Sequence, residues 1–157
     1  MKMKRLWELG YLIRGLQIQM RFGELSRAPL CLLRLQLREN QVECDWMARP
    51  ADEWDKELPP AIGERNASLQ ALKDAMAVRE LLFCALPAVD SAMFRVYRQP
   101  VREPPELIIA GTVNREDQTL LSVCSLVMRA KLCGFRFWLD DGVLEALQLE
   151  EQAVSIL

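Results

Sequence analysis

The chain has 157 residues, 51% of them apolar, and its 20 basic and 22 acidic side chains give a net charge of −2. This length is typical of one domain with a substantial core. The slight excess of acidic side chains argues against general affinity for nucleic acid, which requires a surplus of Lys and Arg to contact the phosphates. Because the sequence contains no histidine, it excludes Ser–His and Cys–His nucleophile pairs, imidazole general bases and histidine metal sites.

The five cysteines are odd in number, include no C-x-x-C pair and lie within apolar runs. We therefore expect buried, reduced thiols in a cytoplasmic protein that has no metal site and no cofactor. No apolar segment approaches the ~20 residues that a membrane helix requires, so we also expect no membrane span.

Residues 1–22 predict a helical or helix–strand extension at the start of a single α+β domain covering 1–157. A helix from about 3 to 14 is favoured by an apolar seam at helical spacing, formed by Leu6, Leu9, Ile13, Leu16 and Met20. A strand from 16 to 22 is the alternative, because apolar residues also alternate there.

Two alternating segments, 33–38 and 41–46, predict a β-hairpin whose two-residue turn at positions 39 and 40 uses the tolerance of asparagine for a positive φ. The predicted register places Leu35 opposite Cys44 and Arg34 opposite Asp45. In this register the apolar faces of the two strands coincide.

A Pro-rich acidic connection over 49–63 precedes a predicted helix that starts near Asn66 or Ser68 and ends before Pro87. The expected inner face of this helix consists of Leu72, Ala75, Met76, Leu82, Phe83 and Leu86. The residues expected to face water are Gln70, Lys73, Asp74 and Glu80.

The stretch 106–137 predicts the centre of the fold. Residues 106–113 form an almost unbroken apolar run, typical of a strand in the middle of a sheet, and 92–99 is expected to pair with it as a hairpin. A helix from the N-cap Asn114 to Gly134 follows, and we expect it to be buried because it is apolar on nearly all sides. Segments 135–139 and 143–149 predict a last hairpin.

This order of elements predicts an α+β fold, a two-layer antiparallel sheet of five to six strands with two to three helices on one face. The alternative is a ferredoxin-like βαββαβ core over 41–139 with an extra N-terminal strand and helix. In element order and size the chain resembles the small acidic chaperones of type III secretion, which implies a chaperone- or adaptor-like role.

The arginine-rich strands form the candidate binding surface. Arg95, Tyr97, Arg98, Arg102 and Arg136 would make an anion or RNA platform on the open sheet face, with Tyr97 stacking on a base. The GFRF segment at 134–137 is similar to an aromatic RNA-binding strand. The alternative is a solvated face whose charges are balanced across strands. No catalytic residue and no metal ligand is identified.

The excess of apolar surface predicts a non-catalytic protein-interaction or self-associating domain, a homo-oligomer or the binder of a protein partner. The alternative is a small-ligand or RNA-binding domain that uses the arginine-rich sheet face. An enzyme working through carboxylates is a third hypothesis, for which no pair of residues stands out. We expect no DNA partner.

Overall fold

The computed structural model describes residues 30–50, 57–100, 102–115 and 125–147. These ranges contain β1 (Cys31–Arg38), β2 (Gln41–Met47), α1 (Pro60–Ala85), β3 (Ser91–Arg98), β4 (Glu106–Asn114), α2 (Leu126–Cys133), β5 (Leu139–Asp140) and β6 (Val143–Leu144). The fold is therefore α+β, as expected. The predicted elements in 1–22 and the first part of the predicted last helix, 116–124, lie outside the described residues.

The main sheet is mixed and has the strand order β1-β2-β3-β4. The hairpins β1–β2 and β3–β4 are antiparallel as predicted, whereas β2 and β3 are parallel. The expected all-antiparallel sheet is wrong at this pair, because α1 carries the chain back along the sheet before β3 begins. The ferredoxin-like alternative is also wrong, since it requires 41–47 to neighbour 106–114 rather than 91–98.

The first hairpin confirms the predicted register. Leu35 lies opposite Cys44, and Arg34 lies opposite Asp45. The turn differs in one respect, because the positive φ of 50° belongs to Glu39 rather than to the asparagine that follows it. A bulge between Leu32 and Arg34 leaves the first part of β1 irregular.

One hydrophobic core cluster joins residues of both helices with residues of β2, β3 and β4 that share one face of the main sheet. Trp46 of β2 packs edge-on against Phe94 of β3, and Phe94 stacks on Phe135, with ring centroids 5.5 Å apart in both pairs. The other buried sheet residues on this face are Val42, Cys44, Ala92, Val96, Ile109 and Val113. We call the opposite face of the sheet the outer face.

Helix α1 begins at Pro60, about two turns earlier than predicted, with proline in a position where the missing N–H costs nothing. The expected exposure of Gln70 and Asp74 is wrong, because both are buried. Arg49, just beyond β2, donates from Nε to Asp74 Oδ2 at 2.8 Å, and Gln70 donates to Asp74 Oδ1 at 2.7 Å. Burial raises the pKa of Asp74, while Arg49 and Gln70 partly oppose that rise.

Strand β4 is last in the main ladder rather than in its middle, yet its outer edge also has partners. The backbone N–H of Ala110 donates to the carbonyl of Arg136 at 3.0 Å, and the N–H of Arg136 donates back at 2.6 Å. The N–H of Leu147 donates to the carbonyl of Leu107 at 2.7 Å. Leu107 and Ala110, which lie outside the core cluster, are each 4% exposed, so side chains on both faces of β4 are buried, as its apolar run requires.

Helix α2 begins after Ser125, whose hydroxyl accepts a hydrogen bond from the N–H of Met128 at 3.3 Å. The expected N-cap, Asn114, is instead the last residue of β4. Gly134 ends the helix with a φ of 114°, as its position after the apolar run predicted. Neither α1 nor α2 combines the length and apolar character needed to cross a membrane.

The last hairpin is confirmed but short. β5 and β6 pair as a separate two-stranded sheet around the turn at Asp141 and Gly142. Arg65 of α1 donates to the carbonyl of Asp141 at 2.8 Å and pairs with its carboxylate at 2.6 Å. The hydroxyl of Ser68 accepts from the N–H of Leu144 at 2.9 Å, so the hairpin is attached to the first half of α1.

The expectation that all cysteines are buried is correct at two described positions and wrong at two others. Cys44 and Cys133 are buried, whereas Cys31 and Cys84 are exposed. None of these four is in a disulfide. Cys124 lies outside the described residues.

Candidate functional site

A row of side chains crosses the outer face of the sheet from one edge to the other. Arg34 of β1 lies opposite Asp45, Asp45 lies opposite Arg95, and Arg95 lies opposite Ala110. An isolated antiparallel bridge then places Arg136 opposite Ala110. Directly opposite residues project from the same face of a sheet. The row therefore consists, in order, of Arg34, Asp45, Arg95, Ala110 and Arg136.

Asp45 is the buried charged residue of this row. The residue is 8% exposed, and its Oδ1 atom has no hydrogen-bond partner among the described residues. Its Oδ2 atom lies 3.7 Å from Nη1 of Arg95, too long for a direct hydrogen bond. Burial raises the pKa of Asp45, with Arg95 and Arg34 acting in the opposite direction. Asp45 therefore engages Arg95 only loosely, and Nη2 of that guanidinium donates to the Sδ of Met93 at 3.5 Å, a weak acceptor that an anion can replace.

Two aromatic side chains lie one row along the same face. Tyr97 follows Arg95 by two residues on β3, where burial alternates strictly from Ser91 to Val96. Trp138 follows Arg136 by two residues, and burial also alternates from Phe135 to Trp138. A spacing of two residues returns a strand to the same face, so each aromatic ring shares the side of its arginine.

The directions of the strands set where these four side chains lie on the outer face. β3 and the segment at 136 are both antiparallel to β4, and therefore run parallel to each other. The edge of β4 at Leu107, the partner of Tyr97, is occupied by Leu147, so Trp138 is not the residue opposite Tyr97 across β4. We call Arg95, Tyr97, Arg136 and Trp138 the outer-face cluster.

The structure separates the other two predicted site residues from this cluster. Arg98 donates from Nη2 to Glu106 at 2.8 Å and from Nη1 to the carbonyl of Leu144 at 2.7 Å, so it joins β3 to the last hairpin. Arg102 is exposed in the connection after β3, and it makes no ion pair within the described ranges. Of the five predicted residues, the register brings together Arg95, Tyr97 and Arg136.

Trp138 is the cluster member that sequence reasoning did not single out. Its side chain is 65% exposed, whereas Phe135 and Phe137 of the GFRF segment are buried. Phe135 belongs to the core stack, and Lys131 lies over the ring of Phe137 at 5.5 Å. The signal was present in the predicted strand 135–139, whose alternation already places Trp138 on the side of Arg136.

A second exposed surface lies on α2. Only Ala130 and Cys133 of this helix are buried, so the expectation of burial on nearly all sides is wrong for the part that the structure describes. Met128 and Leu132, four residues apart on one helix face, are 51% and 48% exposed. We call these two residues the α2 stripe. On the neighbouring helix α1, Ile62 and Leu69 are exposed as well.

The chain was compared with protein-family models, with curated proteins and with solved structures, and no match was found in any of the three.

Proposed function

We propose that the protein is a non-catalytic interaction domain that self-associates through the α2 stripe. The observation that carries this proposal is the half-exposure of Met128 and Leu132 on a helix whose opposite side packs into the core. Two large apolar side chains held one turn apart on a rigid helix are the usual content of a helix-mediated contact.

The size of a stable interface extends the proposal beyond α2. A specific contact buries roughly 800 Å² on each partner, which is more than two side chains supply. Ile62 and Leu69 add apolar area on α1, which contacts α2 where the Sγ of Cys133 lies 3.8 Å from the Sδ of Met76. A two-fold dimer in which both copies use the helices meets this requirement, since the same exposed residues are then buried on each of the two copies.

The proposal also includes the arrangement of the helices and the sheet within the domain. We infer one two-layer α+β domain over 1–157, with the helices on one face of the sheet and the interface on the solvent side of that helical layer. Cytoplasmic location is proposed with it, supported by the four described cysteines that form no disulfide.

Sizing of the native protein by light scattering at low micromolar concentration tests self-association. The expected mass is about twice the 18.0 kDa of one chain. The double substitution Met128→Glu with Leu132→Glu should give a folded monomer, because it places charges at the centre of the contact. Leu33→Glu on β1, at a site 49% exposed, is the matched control and should leave the dimer intact.

Two results would refute the proposal. One is a native mass of about 18 kDa, and the other is a dimer that survives the double substitution on α2. The fold of each variant is checked by its urea midpoint, since exposed positions tolerate substitution within about 0.5 kcal/mol.

The alternative hypothesis, a small-ligand or RNA-binding domain, is favoured by a separate observation, the alignment of Arg95, Ala110 and Arg136 in one row. It concerns the outer face and does not depend on the α2 stripe.

A further inference from the structure

We propose that the outer-face cluster is a binding site for a nucleoside phosphate, with the phosphate held between Arg95 and Arg136 and the base stacked on Trp138. The required chemistry is one phosphate group joined through a sugar to one base. Either a free nucleotide or a nucleotide within a short single strand supplies it.

The phosphate end of the site rests on the spacing of the two arginines. Neighbouring strands lie about 4.8 Å apart, so Arg95 and Arg136, separated by β4, have backbones roughly 10 Å apart. The side chain between them is the methyl group of Ala110, which is 4% exposed, so a phosphate would lie over the two guanidinium groups and not against the sheet. Two long arginine side chains at this distance can converge on one phosphate and donate to separate oxygens.

The charges of the two arginines are available to a ligand. Arg136 is exposed and makes no ion pair with the described residues. Arg95 is about one-third exposed, and its nearest carboxylate contact, with Asp45, is 3.7 Å. Arg98 shows the opposite arrangement, since Glu106 and a backbone carbonyl occupy its donors. Arg95 otherwise makes only a weak bond to the sulfur of Met93, so both guanidinium groups of the cluster can turn to a stronger acceptor.

The base end rests on Trp138 and Tyr97. An indole ring that is 65% exposed offers a broad face to an aromatic base, and stacking on such a face is tolerant of base identity. Tyr97 is half-buried on the same face as Arg95, two residues along β3, and borders that end of the site. The two rows are two residues apart, roughly 7 Å along the strands, a separation that a ribose spans between phosphate and base.

The charge of the whole chain restricts the length of the ligand. The net charge is −2, and Glu43 lies on the outer face one row away on the other side of Arg95. A long polyanion needs many phosphate contacts, which this surface lacks. A single nucleotide or a short single strand needs only the two arginines.

Isothermal titration calorimetry of the native full chain tests the site with four probes: 5′-AMP, inorganic phosphate, adenosine and a short single-stranded oligoadenylate. We expect 5′-AMP to bind more tightly than phosphate or adenosine, because only it reaches both rows. Tighter binding of the oligoadenylate than of 5′-AMP would assign the site to single strands, and equal binding would assign it to free nucleotides.

Substitutions separate the two ends of the site. Arg136→Gln and Trp138→Leu should each weaken 5′-AMP binding about tenfold or more, as expected for loss of one charge-assisted contact or one stacked ring. Arg136→Lys keeps the positive charge but lacks the planar guanidinium group, so it should give an intermediate loss of 5′-AMP affinity. Arg102→Gln removes another exposed arginine, which lies outside the cluster and makes no ion pair with the residues that the structure describes, and should leave affinity within about twofold.

The proposal is overturned if no probe binds, if phosphate binds as tightly as 5′-AMP, or if Arg102→Gln weakens binding as much as Arg136→Gln. Thermal unfolding of each variant shows that a loss of binding is not a loss of fold. The α2 variant Met128→Glu with Leu132→Glu should bind 5′-AMP like the native chain, so failure of the dimer and failure of this site give different results.

Discussion

Gly111 of β4 and Gly134 at the end of α2 approach each other so closely that neither position has room for a side chain. A Cβ atom on Gly111 would overlap the carbonyl oxygen of Gly134, and a Cβ on Gly134 would overlap the carbonyl oxygen of Thr112. Both glycines also have positive φ angles, of 148° and 114°. This contact brings the chain from α2 directly to the edge of β4, where Arg136 pairs with Ala110.

Gly111→Ala should therefore destabilise the protein by at least about 2 kcal/mol, because backbone atoms must move in addition to the strain at this φ. The free energy of unfolding in urea measures the effect. Gly142→Ala is the matched control: its φ is also positive, but an added Cβ would meet only the flexible side chain of Arg65, at 3.1 Å. Its expected cost is about 1 kcal/mol. If the two substitutions lowered the free energy of unfolding equally, the close contact of Gly111 with the backbone of Gly134 would not account for the effect.

Arg115 should contribute strongly to stability by binding the backbone carbonyls near the end of α1. It donates to the carbonyls of Phe83, Leu86 and Val89 at 2.7, 2.6 and 2.9 Å, and its guanidinium lies 5.0 Å from the centre of the Phe83 ring. Carbonyls at the end of a helix lack internal partners and carry partial negative charge. Arg115→Ala should cost about 2–4 kcal/mol in urea denaturation, since several acceptors lose one charged donor.

Arg115→Lys should recover less than half of that loss, because an ammonium group lacks the planar fork that reaches three carbonyls. Arg38→Ala, an exposed arginine on β1, is the control and should change stability by no more than about 0.5 kcal/mol. A loss at Arg38 as large as that at Arg115 would show that charge, not geometry, accounts for the effect.

Asp45 should make stability depend on pH. Burial raises its pKa above the ordinary 3.8, so the folded protein binds more protons than the unfolded chain from about that pH up to the raised value. Its contribution to folding is then greatest below pH 3.8 and declines as pH rises through the folded pKa. The stability of the native protein relative to Asp45→Asn should fall over this window when urea unfolding is measured at successive pH values. A difference that rises with pH would mean that the two arginines outweigh burial.

The cysteines should react in two classes. Cys31 and Cys84 are exposed, so labelling of the native protein followed by mass spectrometry should find both modified rapidly. Burial raises the pKa of Cys44 to about 12, which leaves almost no thiolate at neutral pH, and Cys133 is also buried. These two should react only after denaturation. Rapid native labelling of Cys44 would be inconsistent with the core position of β2.

The local pattern of apolar and polar residues was sufficient to predict several elements of this fold. Alternation on both sides of residues 39 and 40 determined the first hairpin and its register, down to the pairing of Leu35 with Cys44. A two-residue turn and a buried face act between near neighbours in the chain, and a slip of one residue would exchange the two faces. Gly134 was likewise recognisable as a helix end, because a left-handed residue is required where the helix stops.

Tertiary structure decided the features that depend on distant partners. The parallel pairing of β2 with β3 follows from the path of α1 across the sheet, which strand periodicity does not contain. Asp74 is buried because Arg49 reaches it from the end of β2, although both residues are charged and look like surface positions in the sequence.

The same distinction applies to the candidate site. The sequence alone predicted Arg95, Tyr97 and Arg136 as site residues, and the alternation of the predicted strand 135–139 contained the position of Trp138 without drawing attention to it. Only the tertiary structure brought the two pairs to opposite sides of β4, because the close contact of Gly111 with Gly134 sets where the last segment meets the sheet. Periodicity within a strand is a local property of the backbone, whereas the alignment of strands follows from packing between residues far apart in the chain.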